Sequence, residues 1–377
     1  MDTEIKGYCD TKFNKVRNAF VKNFKDYDEL GASLCIVENN KVVVNLFGGS
    51  TSPEREHDWN AETVVNIWST TKGVSATCIA ILVSRGVISY DTKISDIWPE
   101  FACQGKNDIT LSMLISHQAG LCGFAESKDI SFLYNSLQVE EELAKSIPYW
   151  PPGEKAGYHA LTIGFLVDAI IKRTDGRSIK EFIQQELCNK LGLKISIGLP
   201  TEWEDCSSDV YSDSPISSAE LPIEINEYQK SSLMNPLLQP SVANTEGWKG
   251  ATIASANGFA NASSLAKLYG MLATNGNFAG QQVINADAII KATSCQYSGQ
   301  DAVLSMPVRW ANGFLLNCHN IYGPNVSAFG HSGWGGSFAF ADPKLGLGCA
   351  YTMNKMGNDL VGDSRNVNIV EAIYRCT

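Results

Sequence analysis

The fifteen residues from Trp68 to Leu82 limit most strongly how this chain can fold. They carry one charged side chain, Lys72, and otherwise consist of apolar, small and hydroxyl-bearing residues. The next charged residue along the chain is Arg85. A helix that is apolar on every side is buried against other elements. The sequence therefore predicts a buried helix whose first turn is polar.

Ser69 and Lys72 lie three positions apart in that first turn, so a helix places them on one face. A serine hydroxyl is a weak nucleophile until a base stands beside it. Burial disfavours the charged form of a lysine and lowers its pKa, which makes Lys72 a suitable base. The alternative is an ordinary helix cap with a solvated lysine. The apolar residues that follow Lys72 argue against that alternative.

Tyr158 follows the loop Pro151-Pro152-Gly153 and precedes a predicted helix that begins near Leu161. A rigid loop can hold its phenol at the rim of a cleft. A neighbouring ammonium favours the phenolate, which can then accept or pass on a proton. The alternative is a half-buried aromatic whose hydroxyl binds a loop carbonyl.

The glycine-rich stretch from Phe329 to Gly336 contains His331, Ser332 and Gly333. Glycines let a substrate approach the backbone closely, and a strand N–H there can bind an oxyanion. One alternative is a glycine-rich hairpin with a buried histidine. Another is a Gly-x-Ser-x-Gly nucleophile elbow around Ser332. We reject the elbow because Trp334 occupies its fifth position and no histidine follows His331.

Together these stretches resemble the three motifs of the serine β-lactamase-like superfamily, in order and spacing along almost the whole chain. That superfamily includes class C β-lactamases, DD-peptidases and carboxylesterases. The chain is most similar to its esterase-like branch and to animal β-lactamase-domain proteins. The motifs read Ser69-Thr70-Thr71-Lys72, Tyr158 and His331-Ser332-Gly333.

The resemblance implies a role for each of these residues. Ser69 would be the acylated nucleophile, with Lys72 and Tyr158 as the base system that also reprotonates the leaving group. The backbone N–H groups of Ser69 and Trp334 would form the oxyanion hole. His331 would occupy the place where β-lactamases usually carry a lysine or histidine.

The second motif departs from the family pattern at Ala160. β-Lactamases and DD-peptidases have Tyr-x-Asn, whose amide binds the acylamino group of the substrate, whereas this chain has Tyr158-His159-Ala160. Loss of such a hydrogen bond costs about 1–3 kcal/mol. The departure, which esterase-like members share, favours ester substrates over β-lactams.

Strand patterns at both ends of the chain and helical patterns between them predict an α+β fold. We expect an antiparallel sheet flanked by helices, built from both termini, with a largely helical insertion. The predicted division of the single unit 1–377 is a sheet subdomain of 1–66 with 306–377 and a mainly helical subdomain of 67–305. The polar, proline-rich residues 200–247 should form a long loop region over the cleft. Individual predictions include helices over Thr11–Tyr27, Ser127–Pro148 and Ser364–Tyr374, and a strand over Trp310–Asn317.

Composition narrows the possible partners and cofactors. A net charge of −10 argues against nucleic acid or an anionic membrane as the main partner, and no apolar stretch is long enough to span a membrane. Eleven scattered cysteines without a C-x-x-C pair, and an N-terminus without the apolar core of a signal peptide, indicate a cytoplasmic protein with reduced thiols. The five histidines lack metal-ligand spacing, so we expect no metal and no cofactor.

The sequence thus predicts a serine hydrolase that forms an acyl-enzyme with carboxylic esters or small acyl compounds. An acyltransferase and an amidase or peptidase remain alternatives, because the same acyl-enzyme can be resolved by other nucleophiles and formed from other substrates. A non-catalytic scaffold that keeps the fold is a further alternative. The expected partner is a small molecule, and a homo-oligomer remains open.

Overall fold

The computed structural model describes residues 3–213 and 225–377. Fifteen strands and twelve α-helices are present in these residues. The strands are β1 Ile5–Cys9, β2 Gly31–Glu38, β3 Lys41–Gly49, β4 Val64–Asn66, β5 Ile195–Ile197, β6 Ser207–Ser208, β7 Gly258–Ala260, β8 Asn277–Phe278, β9 Gln281–Gln282, β10 Tyr297–Gln300, β11 Pro307–Trp310, β12 Leu315–Leu316, β13 Phe329–Ser332, β14 Phe338–Asp342 and β15 Leu347–Met353. The helices are α1 Asn14–Asp26, α2 Thr71–Ser84, α3 Ile94–Ile97, α4 Leu111–Ile115, α5 Ser136–Lys145, α6 Thr162–Asp175, α7 Ile179–Ile183, α8 Glu227–Leu233, α9 Glu246–Gly250, α10 Ala262–Ala273, α11 Ala286–Ala292 and α12 Ser364–Tyr374.

Both ends of the chain build the main sheet. Its nine strands run in the order β1-β3-β2-β15-β14-β13-β12-β11-β10, and every neighbouring pair is antiparallel. The two ends meet where β2 pairs with β15, for example at Ile36 opposite Cys349. The predicted α+β fold with a terminal antiparallel sheet is therefore confirmed. Strand β10 joins this sheet although it precedes residue 306, and the division into subdomains remains a prediction.

Helices cover both faces of the sheet. On one face α10 packs so closely that a Cβ on Gly348 would lie 2.1 Å from the backbone nitrogen of Gly270. On the other face α1 packs against α12, and the ring of Phe20 contacts that of Tyr351 at 6.0 Å. Because apolar side chains of all these layers are buried, the sheet is rigidly supported on both sides. A smaller sheet of β5, β7, β4 and β6 lies beside the start of α2.

Helix α2 has the buried environment that its sequence predicts. Every residue from Thr71 to Leu82 is buried, and a Cβ on Gly73 would lie 1.9 Å from the Tyr269 hydroxyl of α10. The chain enters α2 through a 3₁₀ turn at Trp68–Thr70. Trp68 has a φ of +45°, so the residue before Ser69 occupies the strained left-handed region.

Two predicted elements are wrong in extent. The predicted helix Ser127–Pro148 reduces to α5, because the Asn135 side chain accepts from the Gln138 backbone N–H and starts a new helix there. The predicted strand Trp310–Asn317 is broken after Trp310 by a turn in which Gly313 has a φ of +90°. The C-terminal helix Ser364–Tyr374 has the predicted bounds.

The region 200–247 is less irregular than its composition indicates. It contains α8, where Asn226 and Gln229 form a reciprocal capping box, the 3₁₀ turn Pro240–Asn244 and the first two residues of α9. The part of this predicted loop that spans residues 214–224 lies outside the described residues. Among the residues that the structure describes, no helix combines the length and the apolar character needed to cross a membrane.

Candidate active site

Ser69 and Lys72 meet at the start of α2. The Lys72 Nζ lies 3.0 Å from the Ser69 Oγ, as their spacing predicts. The same nitrogen donates to the carbonyl oxygens of Ala160 at 2.7 Å and Ser255 at 3.0 Å. Three separate parts of the chain therefore fix the amine against the serine.

The surroundings of Lys72 favour its neutral form. The side chain is buried, and its three hydrogen-bond neighbours carry no formal charge. Burial lowers the pKa of the Lys72 amine well below its ordinary value of 10.5, because the ammonium loses its hydration without gaining a counter-charge. An amine of this kind can accept a proton near neutral pH.

Tyr158 lies beside the same amine. The Lys72 Nζ is 4.6 Å from the centre of the Tyr158 ring. That ring stacks on the indole of Trp310 with centroids 5.8 Å apart and planes within 8°. The Ser232 hydroxyl donates to the Tyr158 carbonyl at 2.6 Å and accepts from the Ala160 N–H at 3.2 Å. Aromatic packing and backbone hydrogen bonds thus hold the phenol in place.

The protonation state of Tyr158 differs from the sequence-based expectation. Burial raises the pKa of the phenol well above its ordinary value, and the charge of Asp301 acts in the same direction. The nearby Ser69 hydroxyl has the opposite effect. Because burial also disfavours the charged form of Lys72, the amine provides little stabilisation to a phenolate. Tyr158 is therefore a protonated phenol that can donate a hydrogen bond.

The end of β13 is tied directly to the Ser69 turn. The Ser337 hydroxyl donates to the Ile67 carbonyl at 2.8 Å and lies 3.2 Å from the Thr70 hydroxyl. The Gly333 N–H donates to the Ser337 carbonyl at 2.7 Å, and a Cβ on Gly333 would lie 2.4 Å from the Ile67 carbonyl oxygen. The rings of Trp68 and Trp334 meet at 4.9 Å. These contacts bring the Trp334 backbone next to Ser69.

An apolar cleft of about 270 Å³ opens above Ser69. Its described lining contains no Asp, Glu, Lys or Arg, and its polar side chains are those of Ser69, Tyr158, Gln229 and Ser232. Most of the remaining lining is aliphatic or aromatic and includes Trp68, Leu161, Leu233, Met234, Leu237, Leu238, Trp334 and Leu360. A cleft of this size and composition fits a small apolar molecule.

His331, Ser332 and Gly333 lie behind the cleft, and none of them is among its described lining residues. His331 is buried and stacks on Trp310 at 6.1 Å. Burial lowers the pKa of its imidazole to about 3, so the ring is neutral at physiological pH. The Ser332 hydroxyl lies 3.4 Å from the Tyr322 hydroxyl in the interior. Of the predicted C-terminal site residues, Trp334 alone reaches the cleft.

Sequence reasoning missed three residues that contact the site from behind. Asp301 accepts a hydrogen bond from the Tyr158 backbone N–H at 3.0 Å. Trp310 stacks on the phenol, and Ser232 bridges the backbone on either side of His159. Each is far from Tyr158 in sequence and belongs to no motif, so the sequence provides no signal for its role.

Comparison with known proteins gives the family. Residues 16–373 match the family model described as Beta-lactamase. The esterase/beta-lactamase LipL of Mycobacterium tuberculosis is 28% identical over 94% of this chain and 84% of its own.

Two solved structures match almost the full length of the chain. The crystal structure of a family VIII carboxylesterase is 37% identical, with a TM-score of 0.94 over 99% of this chain and 100% of the other. A penicillin-binding protein homologue from Caulobacter crescentus is 40% identical, with a TM-score of 0.93 over 99% and 100%. The chain therefore belongs to the Beta-lactamase family and is a serine hydrolase.

Proposed function

We propose that the chain hydrolyses neutral carboxylic esters through an acyl-enzyme on Ser69, with Lys72 and Tyr158 as its acid–base pair. The main support for this proposal is the position of Lys72. The buried Lys72 amine lies 3.0 Å from the Ser69 Oγ at the base of a cleft with no charged side chain among its described lining. This arrangement supplies a nucleophile, a base and an uncharged binding site together.

The hydrogen bonds of Lys72 suit a neutral amine in the first step. Its two N–H groups donate to the Ala160 and Ser255 carbonyls, which leaves the lone pair for the Ser69 hydroxyl. As the Ser69 Oγ bonds to the acyl carbon of the ester, its proton passes to the Lys72 nitrogen. A positioned base of this kind typically accelerates such a step by about 10²–10⁴-fold.

Tyr158 serves the leaving group. The bond between the acyl carbon and the alcohol oxygen breaks, and the Tyr158 phenol donates its proton to that oxygen. The ammonium of Lys72 returns a proton to the phenolate, which restores the neutral pair. In deacylation, water loses a proton to the same pair, attacks the acyl carbon and releases the acid, while the Ser69 Oγ recovers its proton.

Two backbone N–H groups would bind the oxyanion. Ser69 lies in the first turn that leads into α2, where N–H groups lack helical acceptors. The Trp334 N–H makes no backbone hydrogen bond within residues 3–213 and 225–377. Donors held in place before the reaction stabilise the developing charge by about 3–4 kcal/mol each. The Gly333–Ser337 contacts support this role by fixing the Trp334 backbone beside Ser69.

The polarity of the cleft favours a neutral substrate. A substrate carboxylate would enter without a lysine or arginine among the described lining residues, and His331 is neutral at physiological pH. Burial of an unpaired charge is strongly unfavourable. Ala160 lines the cleft where Tyr-x-Asn relatives carry an amide. Both features favour simple esters over β-lactams and over peptides that end in a carboxylate, in keeping with the carboxylesterase among the similar structures.

We also propose that the enzyme is cytoplasmic. All eleven cysteines are free, and four of them are buried. Unpaired thiols in this number are typical of proteins in a reducing compartment.

A fluorophosphonate probe and p-nitrophenyl esters test the proposal. We expect stoichiometric labelling of the wild type and its loss in Ser69→Ala, with kcat/KM for p-nitrophenyl butyrate lower by about 10³-fold or more. Ser75→Ala is the matched control, because Ser75 lies on the same helix and its hydroxyl is bound to the Ala254 carbonyl. It should keep both labelling and turnover. Absence of labelling in the folded wild type, or labelling that persists in Ser69→Ala, would disprove the mechanism.

A second comparison tests the substrate class. A neutral aryl butyrate and the corresponding monoester of succinic acid have similar size and differ by one carboxylate. We expect kcat/KM to be at least about 10-fold lower for the charged ester. Equal or better turnover of the succinate monoester would overturn the assignment to neutral esters.

A further inference from the structure

Asp301 is a buried carboxylate, and among the described residues its side chain accepts four hydrogen bonds, all from uncharged donors. Its Oδ1 accepts from the backbone N–H groups of Tyr158 at 3.0 Å and of Val303 and Leu304 at 2.9 Å. Its Oδ2 accepts from the Trp310 indole N–H at 3.0 Å. Removal of such a charge from water is costly, and both of its oxygens are used as acceptors, whereas a neutral amide would offer only one accepting oxygen.

Two of the groups that Asp301 binds are the ones that hold the Tyr158 phenol. One carboxylate oxygen fixes the Tyr158 backbone, and the other fixes Trp310, whose indole stacks on the phenol within 8° of parallel. The carboxylate thus sets both the position of the Tyr158 main chain and the plane of its ring. A displacement of about 1 Å in a catalytic group can reduce a rate by about 10²-fold.

The other titratable groups around Tyr158 keep the same protonation state near neutral pH. Burial is the main cause in each case. It lowers the pKa of His331 to about 3 and of His159 to about 4, and it lowers that of His117 well below 6.5. Burial also raises the pKa of Tyr322 far above its ordinary value. The three histidines and Tyr322 are therefore neutral, which leaves Lys72 as the titrating partner and Asp301 as the charge that acts on the pair.

We infer that Asp301 is a positioning residue for Tyr158 and that its negative charge helps to set the pH at which the Lys72–Tyr158 pair becomes active. This inference rests on the proposed function, because it assigns a role to a group that touches neither substrate nor Ser69. It adds a residue behind the phenol that acts on the acid–base pair without contacting the reacting atoms.

Asp301→Asn and Trp310→Phe separate the charge from the hydrogen bond. Asp301→Asn keeps an oxygen for the three backbone N–H groups but removes the charge and turns an amide toward the Trp310 N–H. Trp310→Phe keeps the charge and a stacked ring but removes the indole donor. We expect each variant to lower kcat for p-nitrophenyl butyrate by about 10- to 100-fold with a smaller change in KM.

The pH profile distinguishes the two roles. Loss of a negative charge makes the protonated Lys72–Tyr158 pair easier to deprotonate. The acid limb of kcat/KM should therefore move to lower pH by about 0.5–1 unit in Asp301→Asn. It should stay in place in Trp310→Phe. In the double variant the amide no longer faces an indole donor, so kcat should exceed that of Asp301→Asn alone.

Trp59→Phe is the matched control for loss of a buried indole hydrogen bond, because the Trp59 N–H donates to the Ser33 hydroxyl at 2.7 Å away from the cleft. It should leave kcat and the pH profile unchanged. If Asp301→Asn does not fold, the kcat of Trp310→Phe is the test, and a kcat equal to that of the wild type overturns the inference. An unshifted acid limb in folded Asp301→Asn also overturns it. Fluorophosphonate labelling of the wild type tests Ser69 independently, so failure of the proposed function is recognised separately.

Discussion

Lys72 and Arg365 are both buried basic side chains next to the active site, and their surroundings are opposite. Lys72 is hydrogen-bonded to a hydroxyl and two carbonyls. Arg365 on α12 binds Asp363 through two nitrogens, Glu29 at 3.0 Å and the Gly335 carbonyl at 2.5 Å. The Lys72 amine has no counter-charge among these partners, whereas the Arg365 guanidinium has two.

The two environments have opposite effects on protonation. Burial alone lowers the pKa of Lys72 far below 10.5. Burial also opposes the charge of Arg365, but Glu29 and Asp363 outweigh it and raise its pKa above the ordinary value. An unpaired buried cation loses protons readily and suits catalysis, whereas a paired one keeps its charge and stabilises the fold. A buried basic side chain therefore indicates function only when its charged partners are considered with it.

Arg365 nevertheless serves the site indirectly. Its guanidinium and the Gly357 N–H both bind the Gly335 carbonyl, and the Gly335 N–H donates to the Asp359 carbonyl. Both the N–H and the carbonyl of Gly335 are thus hydrogen-bonded. In this way the charged Arg365 helps to fix the backbone beside the Trp334 N–H, which is the proposed oxyanion donor.

The first prediction concerns Lys72→Met and has the largest expected effect. Loss of the base should lower kcat/KM by about 10³-fold or more. The free energy of unfolding should change by less than about 2 kcal/mol, because relief of amine burial offsets two lost hydrogen bonds to carbonyls. Esterase kinetics and urea denaturation measure the two quantities.

The pH dependence of stability sharpens this prediction. Because the folded pKa of Lys72 lies below 10.5, the unfolded chain binds the proton more tightly, and wild-type stability falls as the pH drops from 10.5 toward the lowered pKa. The stability of Lys72→Met should not fall in this way, because methionine does not titrate. Lys106→Met is the control, since Lys106 is also buried and its amine binds the Ser146 carbonyl at 2.6 Å away from any nucleophilic serine. An equal loss of activity in both variants would contradict the role of Lys72.

The second prediction concerns Arg365→Met, for which we expect a large loss of stability, in contrast to Lys72→Met. Removal of the guanidinium leaves Glu29 and Asp363 buried without their cation, which should lower the free energy of unfolding by about 3–5 kcal/mol. Urea denaturation at pH 7 measures this loss. Addition of Glu29→Gln should restore part of it, because one unpaired charge disappears. A loss below about 1 kcal/mol would show that the buried pair does not stabilise the fold.

Local patterns predicted much of the fold and the front of the site. The apolar run before Arg85 predicted a buried helix, and Ser364–Tyr374 was predicted to the residue because its helical pattern is continuous. The meeting of Ser69 with Lys72 followed from their spacing on one helix. Their meeting with Tyr158 followed from the family resemblance.

The back of the site could not be predicted because it depends on contacts between distant residues. Asp301 binds Tyr158 across 143 positions and Arg365 binds Glu29 across 336, and single polar residues of this kind produce no periodic signal. The break after Trp310 was missed because apolar residues continue on both sides of the Gly313 turn. The protonation of Tyr158 was misjudged because burial, which the sequence does not measure, outweighs a neighbouring amine.

The smallest change in kcat is expected from loss of the uncharged hydrogen bonds that position the Ala160 carbonyl, an acceptor of Lys72. The Ser232 hydroxyl bridges the Tyr158 carbonyl and the Ala160 N–H, and the Ala160 carbonyl in turn accepts from Lys72. Ser232→Ala should therefore reduce kcat by about 3- to 10-fold, equivalent to about 0.5–1.5 kcal/mol. Steady-state kinetics on p-nitrophenyl butyrate measures the change.

Ser231→Ala is a closely matched control. Both serines are buried on α8, but the Ser231 hydroxyl donates to the Phe124 carbonyl at 3.1 Å, whereas the hydrogen bonds to Tyr158 and Ala160 come from Ser232. The two variants should lose similar stability, since each loses buried hydrogen bonding, yet only Ser232→Ala should lose kcat. Equal kcat in the two variants would mean that the Lys72 environment tolerates movement of its acceptors. Lys72 and Arg365 would then differ in the pairing of their charges and not in how rigidly their hydrogen-bond acceptors are held.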